Sequence, residues 1–367
     1  MIELSPSMLV SLLGFLAGIV FGGIAQRTNF CTMGAISDIV YLQDYRRMRA
    51  WLLAIAVAIA GSQALHLAGA IDLKDSIYLT PELGWLGAIA GGLLFGFGMT
   101  FTGGCGNKTL VRIGGGNLKS VVVALMIGIF GYMTLRGLVG YARMNVIEAT
   151  NVDLRASGLA SQGIPDMIAS LTGVTIPVVR WVVATASVLG LVWFCFKDRD
   201  FRSSPWNIAA GVIIGALIPL GWMITGIAGA DDFDPVPLAS FTFVAPIGDS
   251  IMYLMIFTGA TISFGIGAVA GVIVGAFLMA VATRSFRIES FVDASDMLRH
   301  IGGGALMGVG GVLAMGCTIG QGITGLSTLA FGSLLAVLSI LAGGVYGMRY
   351  LEEGSFGGAF RAMLARG

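Results

Sequence analysis

Long apolar segments, separated by shorter polar ones, run the whole length of the chain. A helix needs about 20 apolar residues to cross the hydrocarbon core of a bilayer, and most of these segments approach that length. A transmembrane β-barrel would instead show segments of about ten residues with alternating hydrophobicity. The pattern therefore predicts about nine transmembrane helices, near residues 8–28, 51–70, 84–101, 119–140, 174–196, 205–222, 250–282, 301–315 and 329–348.

The composition excludes the soluble classes of protein. Hydrophobic residues make up 56% of the 367 residues and charged residues only 11%, whereas a soluble domain is about 25% charged. The formal net charge of +1 gives no overall field that would attract nucleic acid, so no nucleic-acid partner is expected. The predicted fold class is an all-α polytopic membrane protein that lies in a lipid bilayer.

Glycine is unusually frequent, with 56 residues, which is about twice the usual share. Small residues four positions apart let two transmembrane helices approach closely. Two such runs predict packing faces on the first and seventh apolar segments: Gly14, Gly18 and Gly22, and Gly267, Gly271 and Gly275.

Basic residues concentrate in alternate connections between the apolar segments. Loops rich in Lys and Arg stay in the cytoplasm, so these connections predict an inner-membrane protein with its N-terminus outside and its C-terminus in the cytoplasm. An odd number of helices fits that orientation. The basic connections contain Arg46, Arg47 and Arg49, then Lys108, Arg112 and Lys119, then Lys197, Arg199 and Arg202, then Arg284, Arg287 and Arg299.

Two glycine-rich segments repeat each other at a fixed interval. Gly91 precedes Gly303 by 212 residues, and Cys105 precedes Cys317 by the same 212 residues. One apolar segment between the repeats would reverse the direction of the second, which is the inverted-repeat architecture of many transporters. The prediction is a 4+1+4 arrangement: a first repeat at 1–140, an outer loop and linking helix at 141–204, and an inverted second repeat with a cytoplasmic tail at 205–367.

Three cysteine motifs interrupt apolar segments with polar and small residues. Irregular backbone is tolerated at membrane depth only where protein buries it or a water-filled cavity meets it, so the motifs predict re-entrant loops that line a pathway. No two cysteines form a C-x-x-C pair, and neither a metal site nor a cofactor is expected. The candidate pathway residues are Cys31, Cys105, Cys317, Arg27, Asn29, Gly104, Gly106, Lys108, Gly316, Thr318 and Gln321.

The chemistry of these motifs suits a small anion that contains sulfur or selenium. Helix N-termini and glycine amides attract negative charge, and a thiol is a weak S–H donor with a soft sulfur atom. Other interpretations remain. Cysteines in a membrane can simply be small core residues, which is the preferred interpretation of Cys195. Arg27 and Lys108 can extend along the helix to the membrane surface.

The same motifs resemble those of the YeeE/YedE family of sulfur-transport membrane proteins. The resemblance implies an hourglass-shaped helical fold, and it implies that Cys31, Cys105 and Cys317 hand thiosulfate along by S–H···S hydrogen bonds. Some relatives are associated with selenium instead. The residues that carry the resemblance are Arg27-Thr28-Asn29-Phe30-Cys31, Thr102-Gly103-Gly104-Cys105-Gly106 and Met315-Gly316-Cys317.

The sequence therefore predicts a non-enzymatic inner-membrane importer of thiosulfate or a related small sulfur-containing ion. The alternatives are a membrane thiol sulfurtransferase or redox protein, a structural membrane protein, and a transporter of a selenium species. The chain has no ATP-binding motif, so coupling would come from ions, from the substrate gradient or from a small soluble cytoplasmic sulfur-carrier protein.

Overall fold

Helices form nearly all of the protein. The computed structural model describes residues 5–231 and 235–365. In chain order the α-helices are α1 (Pro6–Thr28), α2 (Thr32–Ser37), α3 (Arg46–Leu67), α4 (Trp85–Thr102), α5 (Gly106–Gly114), α6 (Leu118–Arg136), α7 (Leu138–Ala142), α8 (Ile164–Thr172), α9 (Ile176–Phe196), α10 (Arg199–Arg202), α11 (Pro205–Met223), α12 (Val244–Met255), α13 (Phe264–Ala282), α14 (Ala294–Leu313), α15 (Phe331–Glu353) and α16 (Phe356–Ala365).

Shorter elements connect these helices. Wide π-type turns lie at Asp38–Leu42, Arg143–Ile147, Ile224–Ala228 and Gly320–Gly325, and tight 3₁₀ turns lie at Leu73–Asp75, Glu148–Thr150, Leu154–Ser157 and Phe257–Gly259. Strands β1 (Glu82–Leu83) and β2 (Val152–Asp153) form an antiparallel pair. These few strand residues fasten one loop to another and leave the fold class all-α.

Eight helical segments of the described chain are long and apolar enough to cross a membrane. They confirm the predicted all-α polytopic membrane protein. The segments are Pro6–Leu42, Arg46–Leu67, Trp85–Gly114, Leu118–Arg136, Ile176–Phe196, Pro205–Ala228, Phe264–Ala282 and Phe331–Glu353.

Two of the nine predicted segments differ in detail. The segment expected at 250–282 is two helices, α12 and α13, which a break at residues 256–263 separates. That break contains several β-branched residues, which are poorer helix formers, and the Ser263 side chain then caps α13. The segment expected at 301–315 belongs to α14, whose early turns carry Asp296, Arg299 and His300. Because of these polar residues, α14 is not among the eight segments that are apolar enough to cross a membrane.

Glycine allows the helices to pack backbone against backbone. A Cβ atom added to Gly18 of α1 would lie 2.5 Å from the carbonyl oxygen of Ala268, and one added to Gly271 of α13 would lie 2.1 Å from that of Phe15. Real Cβ atoms do not approach backbone so closely, so only glycine fits. The α1–α13 contact is therefore the packing face that the glycine spacing predicted.

The contact between α4 and α14 is reciprocal. A Cβ atom added to Gly91 would lie 2.7 Å from the Gly310 carbonyl oxygen, and one added to Gly310 would lie 2.6 Å from the Gly91 oxygen. Gly98 and Gly303 block each other in the same way, at 2.8 Å in both directions. In the 212-residue register Gly303 corresponds to Gly91 and Gly310 to Gly98. Gly91 thus contacts the counterpart of Gly98, and Gly98 contacts the counterpart of Gly91, which is the pattern of a contact across a two-fold axis.

Candidate functional site

Each cysteine motif breaks a helix with the same backbone device. A residue in the left-handed conformation lies two positions before each cysteine: Asn29 with φ 52°, Gly103 with φ 64° and Met315 with φ 57°. Each cysteine then immediately precedes a new helical segment, which begins at Thr32, Gly106 or Thr318. Asn and Gly tolerate the left-handed conformation better than other residues do. This turn is what brings the three thiols into the interior.

The Cys31 and Cys105 thiols are in contact. Their Sγ atoms lie 3.6 Å apart, and both side chains are buried. The Cys105 thiol also donates to Oδ1 of Asn107 at 2.6 Å, while Nδ2 of Asn107 donates to the Phe30 carbonyl at 3.3 Å. A thiol has one proton, so Cys31 is the donor to Cys105. The result is an ordered chain of hydrogen bonds from Cys31 through Cys105 to Asn107.

Cys317 is fully buried on the other half of the chain. Its Sγ accepts a hydrogen bond from the Gly320 amide at 3.4 Å, so its own proton is directed elsewhere. A Cβ atom built on Gly106 would lie 4.0 Å from the Cβ of Cys317. Cys317 therefore lies beside the first turn of α5, directly after Cys105.

Polar atoms without partners surround the thiols. The buried Oγ1 atoms of Thr32 and Thr318 and the buried Oε1 atom of Gln321 have no hydrogen bond, although the Thr318 side chain is close enough to interact with Cys105. Nε2 of Gln321 is satisfied, because it donates to the Ala314 carbonyl at 2.5 Å. Buried polar atoms usually have partners, so these unpaired atoms can receive a polar ligand.

The predicted basic and glycine residues fall into two groups. Lys108 donates from Nζ to Oδ1 of Asn29 at 2.8 Å, beside the thiols. Gly104 and Gly316 are both buried at the turns, where side chains would crowd Lys108 and Gln321. Arg27 is separate: it is exposed, and its guanidinium lies over the Trp206 ring at 4.8 Å.

A cavity lies at each end of α4. A cavity of about 560 Å³, the basic vestibule, opens at the C-terminal end of α4, and one of about 20 Å³ lies at the N-terminal end. The small cavity holds roughly one water molecule and has no charged residue in its lining. The basic vestibule contains one carboxylate, Glu289, and the cations Lys108, Arg112, Lys119, Arg287 and Arg299.

The neck is the buried region around Cys31, Cys105 and Cys317, and comparison with known proteins identifies the family of the chain. The family model for "Sulphur transport" matches residues 27–346. This chain belongs to that family, the YeeE/YedE sulfur-transport proteins. The family predicted from the cysteine motifs is therefore confirmed.

Two relatives of this sulfur-transport protein carry a more specific name. A protein of Escherichia coli (strain K12) named "Thiosulfate transporter TsuA" is 27% identical over 355 residues, which cover 92% of this chain and 93% of the relative. A protein of Spirochaeta thermophila with the same name is 24% identical over 331 residues, which cover 90% and 96%. Both names describe transporters rather than enzymes, in agreement with the expected non-enzymatic function.

The fourth cysteine of the sulfur-transport protein is apart from the other three. Cys195 is buried near the end of α9, and its thiol donates to the Arg49 carbonyl at 3.3 Å. This contact ties α9 to α3. The position agrees with the interpretation of Cys195 as a small core residue.

Several residues of the neck escaped the sequence analysis. Asn107 is the acceptor for Cys105, and Thr32 has an unpaired buried hydroxyl. A usable signal existed for Thr32, since threonine directly follows the cysteine in two of the three motifs. Phe243 and Tyr78 are also buried close to Cys317, but neither lies in a cysteine motif.

Proposed function

We propose that this protein imports thiosulfate, or a closely related sulfur-containing ion, across the bacterial inner membrane. The observation that carries the proposal is the direct contact of Cys31 with Cys105, next to the buried Cys317, between two cavities. The names of the two relatives support thiosulfate as the substrate. Thiosulfate carries a terminal sulfur that sulfate lacks, and a soft thiol suits that atom.

In this mechanism the ion passes the neck without covalent chemistry. The thiols donate S–H hydrogen bonds to the terminal sulfur in turn, from Cys317 to Cys105 and then to Cys31. The unpaired hydroxyl of Thr318 can meanwhile donate to the oxygens of the ion. Each step exchanges one weak hydrogen bond for another, so the ion is held without being trapped.

Electrostatics favours release on the basic side. The dianion leaves the neck, whose other side has an uncharged cavity, and enters the vestibule that contains Lys108, Arg112 and Lys119. We place this vestibule in the cytoplasm, because loops rich in Lys and Arg stay there. The N-terminus is then outside. A small soluble sulfur-carrier protein that accepts the ion would receive it at this vestibule.

The two halves of the pathway derive from inverted repeats in this proposal. The first repeat is 1–140, the outer loop and linking helix are 141–204, and the second repeat is 205–367. Support comes from the reciprocal Gly91–Gly310 and Gly98–Gly303 contacts. Transporters of this kind bind substrate at the repeat interface, and the α4–α14 contact lies beside the thiols.

Uptake of radiolabelled thiosulfate into proteoliposomes tests the proposal. We expect saturable uptake by the wild type, loss of uptake with Cys105→Ala, and normal uptake with the matched control Cys195→Ala. Sulfate should compete poorly, and sulfite and selenite identify related substrates. Folded wild type without thiosulfate uptake would contradict the proposal. A persulfide on Cys105, found by mass spectrometry after turnover, would indicate a sulfurtransferase instead.

A further inference from the structure

One helix in the second half of the chain begins at the position that corresponds to α2, but no cysteine precedes it. Helix α2 begins at Thr32 and α12 begins at Val244, 212 residues later. The same 212 residues separate Gly106 from Thr318, where the helical segments after Cys105 and Cys317 begin. In this register the residue that corresponds to Cys31 is Phe243. Sequence comparison alone does not reveal it, because the two break motifs share no residues.

Phe243 is buried next to the first residue of α5, which directly follows Cys105. Its side chain is fully buried. A Cβ atom built on Gly106 would lie 3.8 Å from the Cβ of Phe243 and 4.0 Å from the Cβ of Cys317. Gly106 directly follows Cys105, so Phe243 adjoins both the first turn of α5 and Cys317. A side chain at this position can contact an ion that moves between the Cys317 and Cys105 thiols.

An aromatic cluster holds the Phe243 ring in place. Phe21 meets it edge to face with a centroid distance of 5.3 Å, and Phe241 lies at 6.4 Å. Phe21 also stacks on Phe241 at 5.6 Å, and Phe241 meets Phe264 at 5.3 Å. These rings are almost completely buried. A close-packed interior resists rotation of one ring, so the Phe243 ring is held in one orientation.

We propose that Phe243 is a specificity-determining residue that selects sulfur-terminated anions over all-oxygen anions. The inference rests on the proposed function. Sulfur makes favourable contacts with aromatic rings, often at the ring edge, and that edge is electropositive, so the soft anionic sulfur of thiosulfate can pass the edge of the ring while the thiols hold it. An oxygen of sulfate would lose its water at this point and find no hydrogen-bond donor on the ring. At corresponding positions, the first half of the chain thus provides the Cys31 thiol and the second half provides the Phe243 ring.

The test compares Phe243→Ala with Phe264→Ala in proteoliposomes. Phe264 belongs to the same aromatic cluster but contacts Phe241 rather than Phe243, so its loss perturbs packing without opening the neck. We measure thiosulfate uptake and its inhibition by sulfate. The expected result for Phe243→Ala is that the preference for thiosulfate over sulfate falls about tenfold, the upper range for a sulfur–aromatic contact. Phe264→Ala should keep the wild-type preference.

A second variant covers the case in which Phe243→Ala does not fold. Phe243→Leu keeps most of the apolar volume and removes the aromatic ring, so it should fold and still lose preference. An unchanged preference in the folded variants, or an equal loss in Phe264→Ala, would overturn the role of Phe243. A wild type that takes up no thiosulfate would overturn the proposed function itself, which is a distinct outcome of the same assay.

Discussion

Cys31 and Cys105 are 74 residues apart in the chain, yet their sulfur atoms lie 3.6 Å from each other in the buried neck. No covalent bond joins them, since all four cysteines are free. A disulfide needs about 2.05 Å between the sulfur atoms, so a small displacement would suffice to oxidise the pair. The contact therefore provides a direct chemical test of the neck.

Mild oxidation should join Cys31 to Cys105 and block uptake. We expect a diamide-treated protein to yield a linked peptide containing both cysteines by mass spectrometry, and a reductant to restore thiosulfate uptake. Cys31→Ala should abolish the linked peptide. Cys195→Ala should leave it unchanged, because Cys195 contacts a backbone carbonyl and no other thiol. A linked peptide that includes Cys317 instead would contradict the arrangement.

Asn107 should matter to transport because it orients the thiols. Asn107→Ala removes the acceptor for the Cys105 proton and the bond to the Phe30 carbonyl. Loss of a buried hydrogen bond costs about 1–3 kcal/mol, so uptake should fall by roughly tenfold or more. The matched control is Asn145→Ala on an exposed turn, whose side chain bonds only the Tyr141 carbonyl. Equal uptake by the two variants would contradict an orienting role.

The sequence predicted the helices well because the bilayer demands long apolar segments. It gave 250–282 as one segment, where the structure has a break at 256–263. Ile256 and Ile262 keep hydropathy high through a stretch that is not α-helical, and hydropathy alone does not separate a broken helix from a continuous one. The correspondence of α12 to α2 became visible only from the 212 residues that separate the first residues of the two helices.

The site was predictable where chemistry and motif coincide. Cys105 and Cys317 came from a motif that repeats after 212 residues, and Lys108 came from the polar residues beside Cys105. The structure places the start of α5 beside Cys317. Arg27 lies in the same motif, but its side chain turns away to Trp206, because motif membership does not fix side-chain direction. Phe243 was missed because its proposed role rests on its position beside Gly106, which is far away in the chain.

A substitution at Gly310 tests whether the close approach of α4 and α14 stabilises the protein. A Cβ atom at Gly310 would lie 2.5 Å from the backbone nitrogen of Phe95, and overpacking of a close contact costs about 1–3 kcal/mol. Gly310→Ala should therefore lower the midpoint of thermal unfolding, measured in detergent by size-exclusion chromatography. The control is Gly190→Ala on α9, where an added Cβ meets nothing within 4 Å. Its unfolding midpoint should stay the same or rise, since alanine favours helix.

Substitution of Thr318 should change thiosulfate uptake without lowering the stability of the fold. Thr318→Val removes a buried oxygen that has no hydrogen-bond partner, so the unfolding midpoint should hold or rise, while thiosulfate uptake should fall because the ion loses a donor. Thr328→Val gives the opposite expectation. The Thr328 hydroxyl is fully buried and donates to the Gly325 carbonyl at 2.7 Å, so its loss should cost roughly 1 kcal/mol of stability.

The stability and the uptake of Thr318→Val have to be compared with each other, with Thr328→Val as the control for stability. Paired hydroxyls stabilise the fold, whereas a hydroxyl kept unpaired in the interior costs free energy and persists when a ligand uses it. If Thr318→Val loses stability and keeps uptake, Thr318 is a packing residue and the neck offers the ion thiols alone. If Thr318→Val keeps stability and loses uptake, the free energy that its hydroxyl costs the empty protein is recovered each time an ion passes.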